Sequence, residues 1–194
     1  MIIDISQEVF SCRKFPGDPP PTYRRLTNMD DGADYNLTEF TMCAHNGTHV
    51  DAPYHFINDG KPIDRLGLLA FVGECYVVRH DGDISAEDVI GIMEKARGAE
   101  AEKRILIAGK ATVTAEAARA FAQAGIMLIG NESQTVGPEN APKEVHLILL
   151  GAGIVLLEGI ELGDVVEGKY FLSAAPLNLG GADGAPCRAY LMTL

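Results

Sequence analysis

The sequence predicts an α/β fold of two packed sheet layers with flanking helices gathered on one side. Three observations carry this expectation. From residue 104 onward, strand-like and helix-like segments alternate, which implies parallel strands joined by helical crossovers. The front half is richer in strands and irregular segments, so a second layer of sheet is expected to come from it. The chain has 194 residues, 47% hydrophobic and 22% charged, which suits one domain over 1–194 with a sizeable core.

The elements follow in order. Residues 2–5 read as a short strand. The Pro-rich piece F-P-G-D-P-P-P, 15–21, reads as a rigid extended loop, placed either over the chain's own site or across a subunit interface. Y-N-L-T-E-F-T-M-C-A-H, 35–45, alternates and is rich in Thr and aromatics, so a strand is expected. E-C-Y-V-V-R-H, 74–80, is another. S-A-E-D at 85–88 is a capping box opening a helix, with Val89, Ile92, Met93 and Ala96 at helical spacing and Gly98 at its end. R-I-L-I-A-G-K, 104–110, is a buried strand, and 114–125 is a helix between Thr114 and Gly125. A strand at 126–130, a helix from Pro142 to about 150 and a strand at 153–159 complete the alternation. K-Y-F-L-S-A-A-P-L and C-R-A-Y-L-M-T-L supply two closing strands.

The formal charge of −11 repels nucleic acid and anionic lipid, and no basic run offsets it. No apolar stretch approaches the ~20 residues that span a bilayer. The opening M-I-I-D-I-S-Q-E-V-F lacks the basic-then-apolar order of a signal peptide. The four cysteines are scattered, with no CxxC pair, and read as reduced thiols in a cytoplasm.

Chemistry concentrates in A-H-N-G-T-H-V-D-A-P-Y-H, 44–55, which holds three of the five histidines and an aspartate. Gly47 and Pro53 argue against a helix. On an extended backbone His45, His49, Asp51 and His55 share one face, with Val50 and Ala52 turned to the core. Two imidazoles and a carboxylate converging on one point form a ligand set for Zn²⁺, and equally for Mn²⁺ or Fe²⁺. Three protein ligands leave a position open, as in catalytic sites. His146, in the apolar helix V-H-L-I-L-L, reads by itself as a core histidine. Glu158 ends a buried strand, and a carboxylate there needs a cationic partner. Helix 142–150 and strand 154–158 are consecutive, which would bring His146 to Glu158. G-G-A-D-G-A, 180–185, is not a phosphate-binding loop, and Asp183 within it is a weak candidate contact near the site.

H-N-G-T-H-V-D-A-P-Y-H resembles the H-x-G-T-H-x-D-x-P-x-H signature of the cyclase family of metal-dependent hydrolases, which includes bacterial kynurenine formamidases and isatin hydrolases. F-P-G-D-P near the start, G-I-V-L-L-E-G, and A-P-L-N-L-G-G-A-D-G-A-P-C-R-A resemble that family's other segments, so the likeness runs over the whole chain. It implies a swivelling β/β/α-type fold, usually dimeric or larger, here a homodimer or homotetramer. It implies one metal on His45, His49 and Asp51. Asp51 would bridge to a second metal completed by His146 and Glu158, with zinc, or alternatively manganese, in both places. It implies His55 as the general acid/base. Residues 130–137, G-N-E-S-Q-T-V-G, differ from the Asp-Thr-Pro-Ser-type stretch of kynurenine formamidases, which bears on the substrate more than on the chemistry.

The expected activity is cleavage of a small-molecule amide of the N-formylkynurenine type by metal-activated water. A lactam or lactone hydrolase of the same family is one alternative, and a non-catalytic metal-binding scaffold is another. For His55 the alternative is a third ligand or an orienting group.

Overall fold

The computed structural model describes residues 1–193. Its front half contains β1 (Ile2–Asp4), β2 (Thr22–Thr27), β3 (Leu37–Thr41), β4 (His49–Asp51), β5 (Val72–Arg79) and β6 (Gly82–Ile84). Then follow α1 (Ala86–Gly98), β7 (Arg104–Ala108), β8 (Ala111–Val113), α2 (Ala115–Ala124), β9 (Leu128–Asn131), α3 (Lys143–Gly151) and β10 (Val155–Glu158). β11 (Gly168–Ser173), β12 (Gly184–Pro186) and β13 (Tyr190–Met192) close the chain.

Nine strands form one sheet in the order β1-β13-β11-β5-β7-β9-β10-β4-β12, with two small sheets beside it, β2-β3 and β6-β8. Within the large sheet β5, β7, β9 and β10 are parallel and the other pairings are antiparallel; of the small sheets, β2-β3 is antiparallel and β6-β8 parallel. The large sheet cannot be flat. β13 stands second and β12 ninth in the order, so a flat sheet would part them by roughly 34 Å at ~4.8 Å per strand. Yet Pro186 and Tyr190 are four residues apart, a reach of at most ~15 Å. The sheet therefore curls until its ends approach, and the two expected layers are halves of one curled sheet.

The curl divides the apolar residues into two cores. Ile5, Val50, Val77, Leu106, Leu157, Leu172 and Leu191 meet inside the curl, from strands at both ends of the order. Ile105, Ile107, Ile129 and Leu156 face outward and pack beneath Val89, Met93, Phe121, Val145 and Leu149. Consecutive residues of β7 and β10 thus enter opposite cores, which explains their unbroken apolar runs.

The helices start and stop where their caps dictate. Ser85 and Asp88 form the reciprocal capping box of α1. The Thr114 side chain accepts from the Ala117 amide, and Gly125 ends α2 with φ of 69°. Pro142 sits just before α3 rather than within it.

Several expectations are corrected. The strand expected at 35–45 is only Leu37–Thr41, because 42–48 turn sharply toward β4. Its partner β2 and the three-residue strands β6, β8 and β12 were not expected. The strand expected from 169 ends at Ser173, and the last one is confined to Tyr190–Met192. The extended run expected through 45–55 covers only His49–Asp51. Gly47 takes a left-handed φ of 67°, and Pro53 opens a 3-10 turn that carries His55.

Candidate active site

β4 places the first two groups. Val50 enters the inner core, so His49 and Asp51 point to the opposite, helix-bearing side. Leu157 likewise turns Glu158 to that side, and the register sets Glu158 directly across from His49. α3 lies over this end of the sheet with Val145, His146 and Leu149 buried beneath it. His45 arrives from the turn before β4, and His55 from the turn after it. All six residues named from the sequence are thus brought together.

Asp51 is the centre. Its Oδ1 lies 2.9 Å from His45 Nδ1 and 3.4 Å from His49 Nε2. Its Oδ2 lies 3.5 Å from His146 Nε2 and 4.0 Å from His55 Nε2. Glu158 reaches His49 Nε2 at 3.5 Å and His146 Nε2 at 3.3 Å. One atom from each of His45, Asp51 and His55 falls within 4.8 Å of the others, and the same holds for His49, Asp51 and Glu158.

Neighbouring backbone orients these rings. His49 Nδ1–H donates to the Gly47 carbonyl at 2.9 Å, and His146 Nδ1–H donates to the Pro142 carbonyl at 2.8 Å. Each leaves Nε2 aimed at the carboxylates, as in histidines prepared for a cation. The Val136 amide donates to Glu158 Oε1 at 2.8 Å. Asp183 matters more than its sequence context suggested. Its Oδ2 accepts from His45 Nε2 at 2.8 Å and from His55 Nδ1 at 3.1 Å, and the two rings stack with centroids 4.0 Å apart. The signal for it was an acid between glycines. Its position depends on β12 pairing with β4, where Gly184 lies opposite Asp51.

The electrostatics are those of a buried charge lattice. His49, Asp51, His146 and Glu158 are at most 2% exposed. Burial presses the imidazoles toward neutrality, but the carboxylates around them outweigh it. His45 is pushed up to about 9, by Asp183 and Asp51, and His49 and His146 to about 10, by Asp51 and Glu158. Burial also opposes ionisation of Asp51, yet His146, His45 and His49 hold its carboxyl well below the usual range. Burial and the Asp51 charge oppose ionisation of Glu158, and His146 and His49 still bring it down. Asp183 is lowered by the hydrogen bonds from His45 and His55.

The donor set fits a divalent metal cofactor. Asp51 Oδ2 is fully buried and makes no hydrogen bond; only the His146 and His55 imidazoles face it, at 3.5 and 4.0 Å, distances that leave the oxygen's bonding capacity for an ion unspent. Imidazole nitrogens and carboxylate oxygens at this density suit a borderline divalent ion.

A cavity of about 230 Å³ opens onto the cluster, lined among others by Phe15, Asp18, Phe56, Gln134 and Thr135. Phe15 and Asp18 place the 15–21 loop at the mouth of its own chain's site. Sequence reasoning did not single out Gln134 or Thr135.

Comparison with known proteins agrees with this architecture. The fold is shared with a potential metal-dependent hydrolase with cyclase activity, 25% identical, TM-score 0.82, over 98% of this chain and 96% of that one. It is shared also with isatin hydrolase A from Labrenzia aggregata, 21% identical, TM-score 0.86, over 100% and 93% of the two chains. The family model described as "Putative cyclase" matches residues 3–138. Kynurenine formamidase of Bacillus cytotoxicus is 34% identical over 207 residues, covering 99% of this chain and 97% of the relative. That of Bacillus mycoides is 35% identical, covering 97% and 96%. The chain belongs to the cyclase family. Among the described residues no helix is long and apolar enough to cross a membrane, and all four cysteines are free thiols.

Proposed function

We propose that this chain is a metal-dependent amide hydrolase of the arylformamidase type, whose substrate is N-formylkynurenine or a close relative. The observation that carries the reading is the buried, unpartnered Asp51 Oδ2, ringed by His45, His49, His146 and Glu158. Full-length likeness to kynurenine formamidases supports the substrate.

His45, His49, Asp51, His146 and Glu158 would hold zinc, or alternatively manganese, as two ions per site. The bound metal supplies Lewis acidity, which acidifies water and draws charge from a carbonyl oxygen. His55 handles the proton. Its Nδ1–H is tied to Asp183, so Nε2 is left as the basic nitrogen, facing Asp51 and the cavity. Water adds to the formyl carbon, a C–O bond forms and the C–N bond breaks. The proton His55 takes from water goes to the leaving nitrogen, giving the free arylamine and formic acid, which ionises to formate and releases water's second proton to solvent. Asp183 keeps the ring in this tautomer, and Phe15, Phe56 and Pro142 limit water around the reacting group.

A homodimer or homotetramer is part of the same reading. It is supported by Tyr23, Tyr35, Leu37 and Phe40, which β2, β3 and their turn leave exposed. The free thiols support a reducing cytoplasm.

The test is to supply zinc- or manganese-loaded protein with N-formylkynurenine and measure formate and kynurenine. Stoichiometric release of both is expected. Metal-loaded protein that releases neither overturns the reading, and ring opening of isatin in a parallel assay would replace it with a lactam hydrolase.

A further inference from the structure

His49 and His146 are each aimed by a backbone carbonyl, but the two carbonyls are held in different ways. The Pro142 carbonyl that accepts from His146 Nδ1–H also accepts from the His146 backbone N–H at 3.1 Å, so the first turn of α3 fixes it. The Gly47 carbonyl that accepts from His49 Nδ1–H stands in the turn before β4, at a residue with a left-handed φ of 67°. A side chain from far along the chain holds it: Gln134 Nε2 donates to it at 2.9 Å. Gln134 lies in G-N-E-S-Q-T-V-G, 130–137, the stretch in which this chain departs from the kynurenine formamidase pattern.

Gln134 is itself held. Its Oε1 accepts from Gln7 Nε2 at 2.8 Å, and the same Gln7 nitrogen donates to the Gly159 carbonyl at 2.7 Å. Gln7 Oε1 accepts from the Arg13 amide at 2.7 Å. Neither side-chain amide can be reversed, because turning Gln134 over would set oxygen against the Gly47 carbonyl and its NH2 against that of Gln7. Gly159 leaves the space this pair occupies. A Cβ there would stand 2.4 Å from the Gly47 oxygen, 2.6 Å from Gln134 Oε1 and 2.7 Å from Gln7 Nε2. Two residues past Gln134, the Val136 amide donates to Glu158 Oε1. One short segment therefore reaches both Glu158 and, through Gly47, His49.

We propose that Gln134, locked by Gln7, is a positioning residue for His49. Gln134 fixes the Gly47 peptide, and the Gly47 carbonyl fixes the proton on His49 Nδ1. His49 Nε2 is thereby left facing Asp51 Oδ1 and Glu158 Oε2, at 3.4 and 3.5 Å. Once a cation takes the place of a proton on Nε2, the bond from Nδ1–H to Gly47 is the one hydrogen bond the ring keeps. This rests on the reading of the cluster as the metal site of an amide hydrolase, and adds to it the pair of residues that aims the ring.

The experiment reads zinc affinity and the ring itself in full-length protein. Affinity is measured by competition with a chelator. The Nδ1–H protons of His49 and His146 are followed by NMR with nitrogen-labelled histidine, each assigned by its loss in His49→Asn or His146→Asn. Gln134→Met keeps the side chain's length and loses both hydrogen bonds, and is expected to bind zinc about tenfold more weakly. Its His49 Nδ1–H exchanges with solvent about tenfold faster, while His146 Nδ1–H, bonded to Pro142, keeps the wild-type rate. Gln7→Met moves both readouts in the same direction. The double variant Gln7→Met/Gln134→Met binds zinc no more weakly than Gln134→Met, because the pair acts as a unit. If Gln134→Met does not fold, Gln7→Met carries the test by the same readouts. Unchanged zinc affinity or unchanged His49 exchange overturns the proposal. So does equal acceleration at His49 and His146, which marks general loosening, or a His49 proton already unprotected in the wild type. If both readouts move as expected but zinc-loaded wild type cleaves no N-formylkynurenine, the positioning role stands and the reaction falls. Cleavage by the wild type with His49 unmoved in the variants has the opposite meaning.

Discussion

Metal binding at this cluster must be steeply linked to pH, and the size of the linkage follows from the histidines. At pH 7 His45, pushed up to about 9, and His49, pushed up to about 10, carry protons that a cation bound by these two rings and Asp51 must displace. Removing one proton three pH units below its pKa costs about 4 kcal/mol at 1.36 kcal/mol per unit. If both rings ligate, two protons leave, and the apparent association constant rises roughly 100-fold per pH unit, or about 1,000-fold from pH 6.5 to 8. Histidines with ordinary pKa values near 6.5 would give a curve that flattens above pH 7. The assay is competition for zinc against a chelator of known pH dependence, with calorimetry in buffers of different ionisation enthalpy to count the protons released. A logarithmic slope near two refers the binding to these rings. A curve that is flat between pH 7 and 8 would refute the reasoning.

Other predictions follow from the same geometry. His55→Ala keeps its metal by elemental analysis and loses about 10²–10⁴-fold in kcat, the usual worth of a general acid/base; retained activity removes His55 from proton transfer. Asp183→Asn, which weakens the hold on both His45 and His55, lowers kcat about 10–100-fold; unchanged kcat would deny it an orienting role. At Gly184 a Cβ would stand 2.7 Å from His45 Cε1 and from the Val50 carbonyl. Gly184→Ala therefore lowers both Tm and metal content, and wild-type values of the two would show that the ring has room to move. In metal-free protein the raised histidines stabilise fully below about pH 6.5, and that contribution fades as pH climbs through 9–10. The lowered carboxylates Asp51 and Glu158 stabilise above about pH 4.5, and that contribution fades in acid. Chelator-treated protein should melt highest between about pH 4.5 and 6.5, and a Tm that climbs from pH 6.5 to 9 would contradict the sign.

How far the sequence could be read depended on whether an element announces itself locally. α1 and α2 carry their caps beside their apolar faces, so Ser85, Asp88, Thr114 and Gly125 mark them before any packing is known. β7 and β10 are buried on both faces, and their apolar runs say so. The 44–55 histidines were conspicuous, but their convergence was expected from a straight backbone and is achieved by turns at Gly47 and Pro53. β2 and β3 were half missed because their side chains stay exposed and no core imposes a pattern on them. Asp183 and Gln134 were beyond reach for a different reason. One depends on the register of a three-residue strand against β4, and the other on hydrogen bonds to Gly47 and Gln7 from far along the chain.

The central claim is spatial, and anomalous diffraction from zinc-soaked crystals tests it most directly. The account predicts density for an ion within about 2.0–2.2 Å of an Asp51 carboxylate oxygen, with nitrogen from at least one of His45, His49 and His146 at the same range. Strong anomalous density elsewhere in the protein, with Asp51 Oδ2 still unligated, would contradict it.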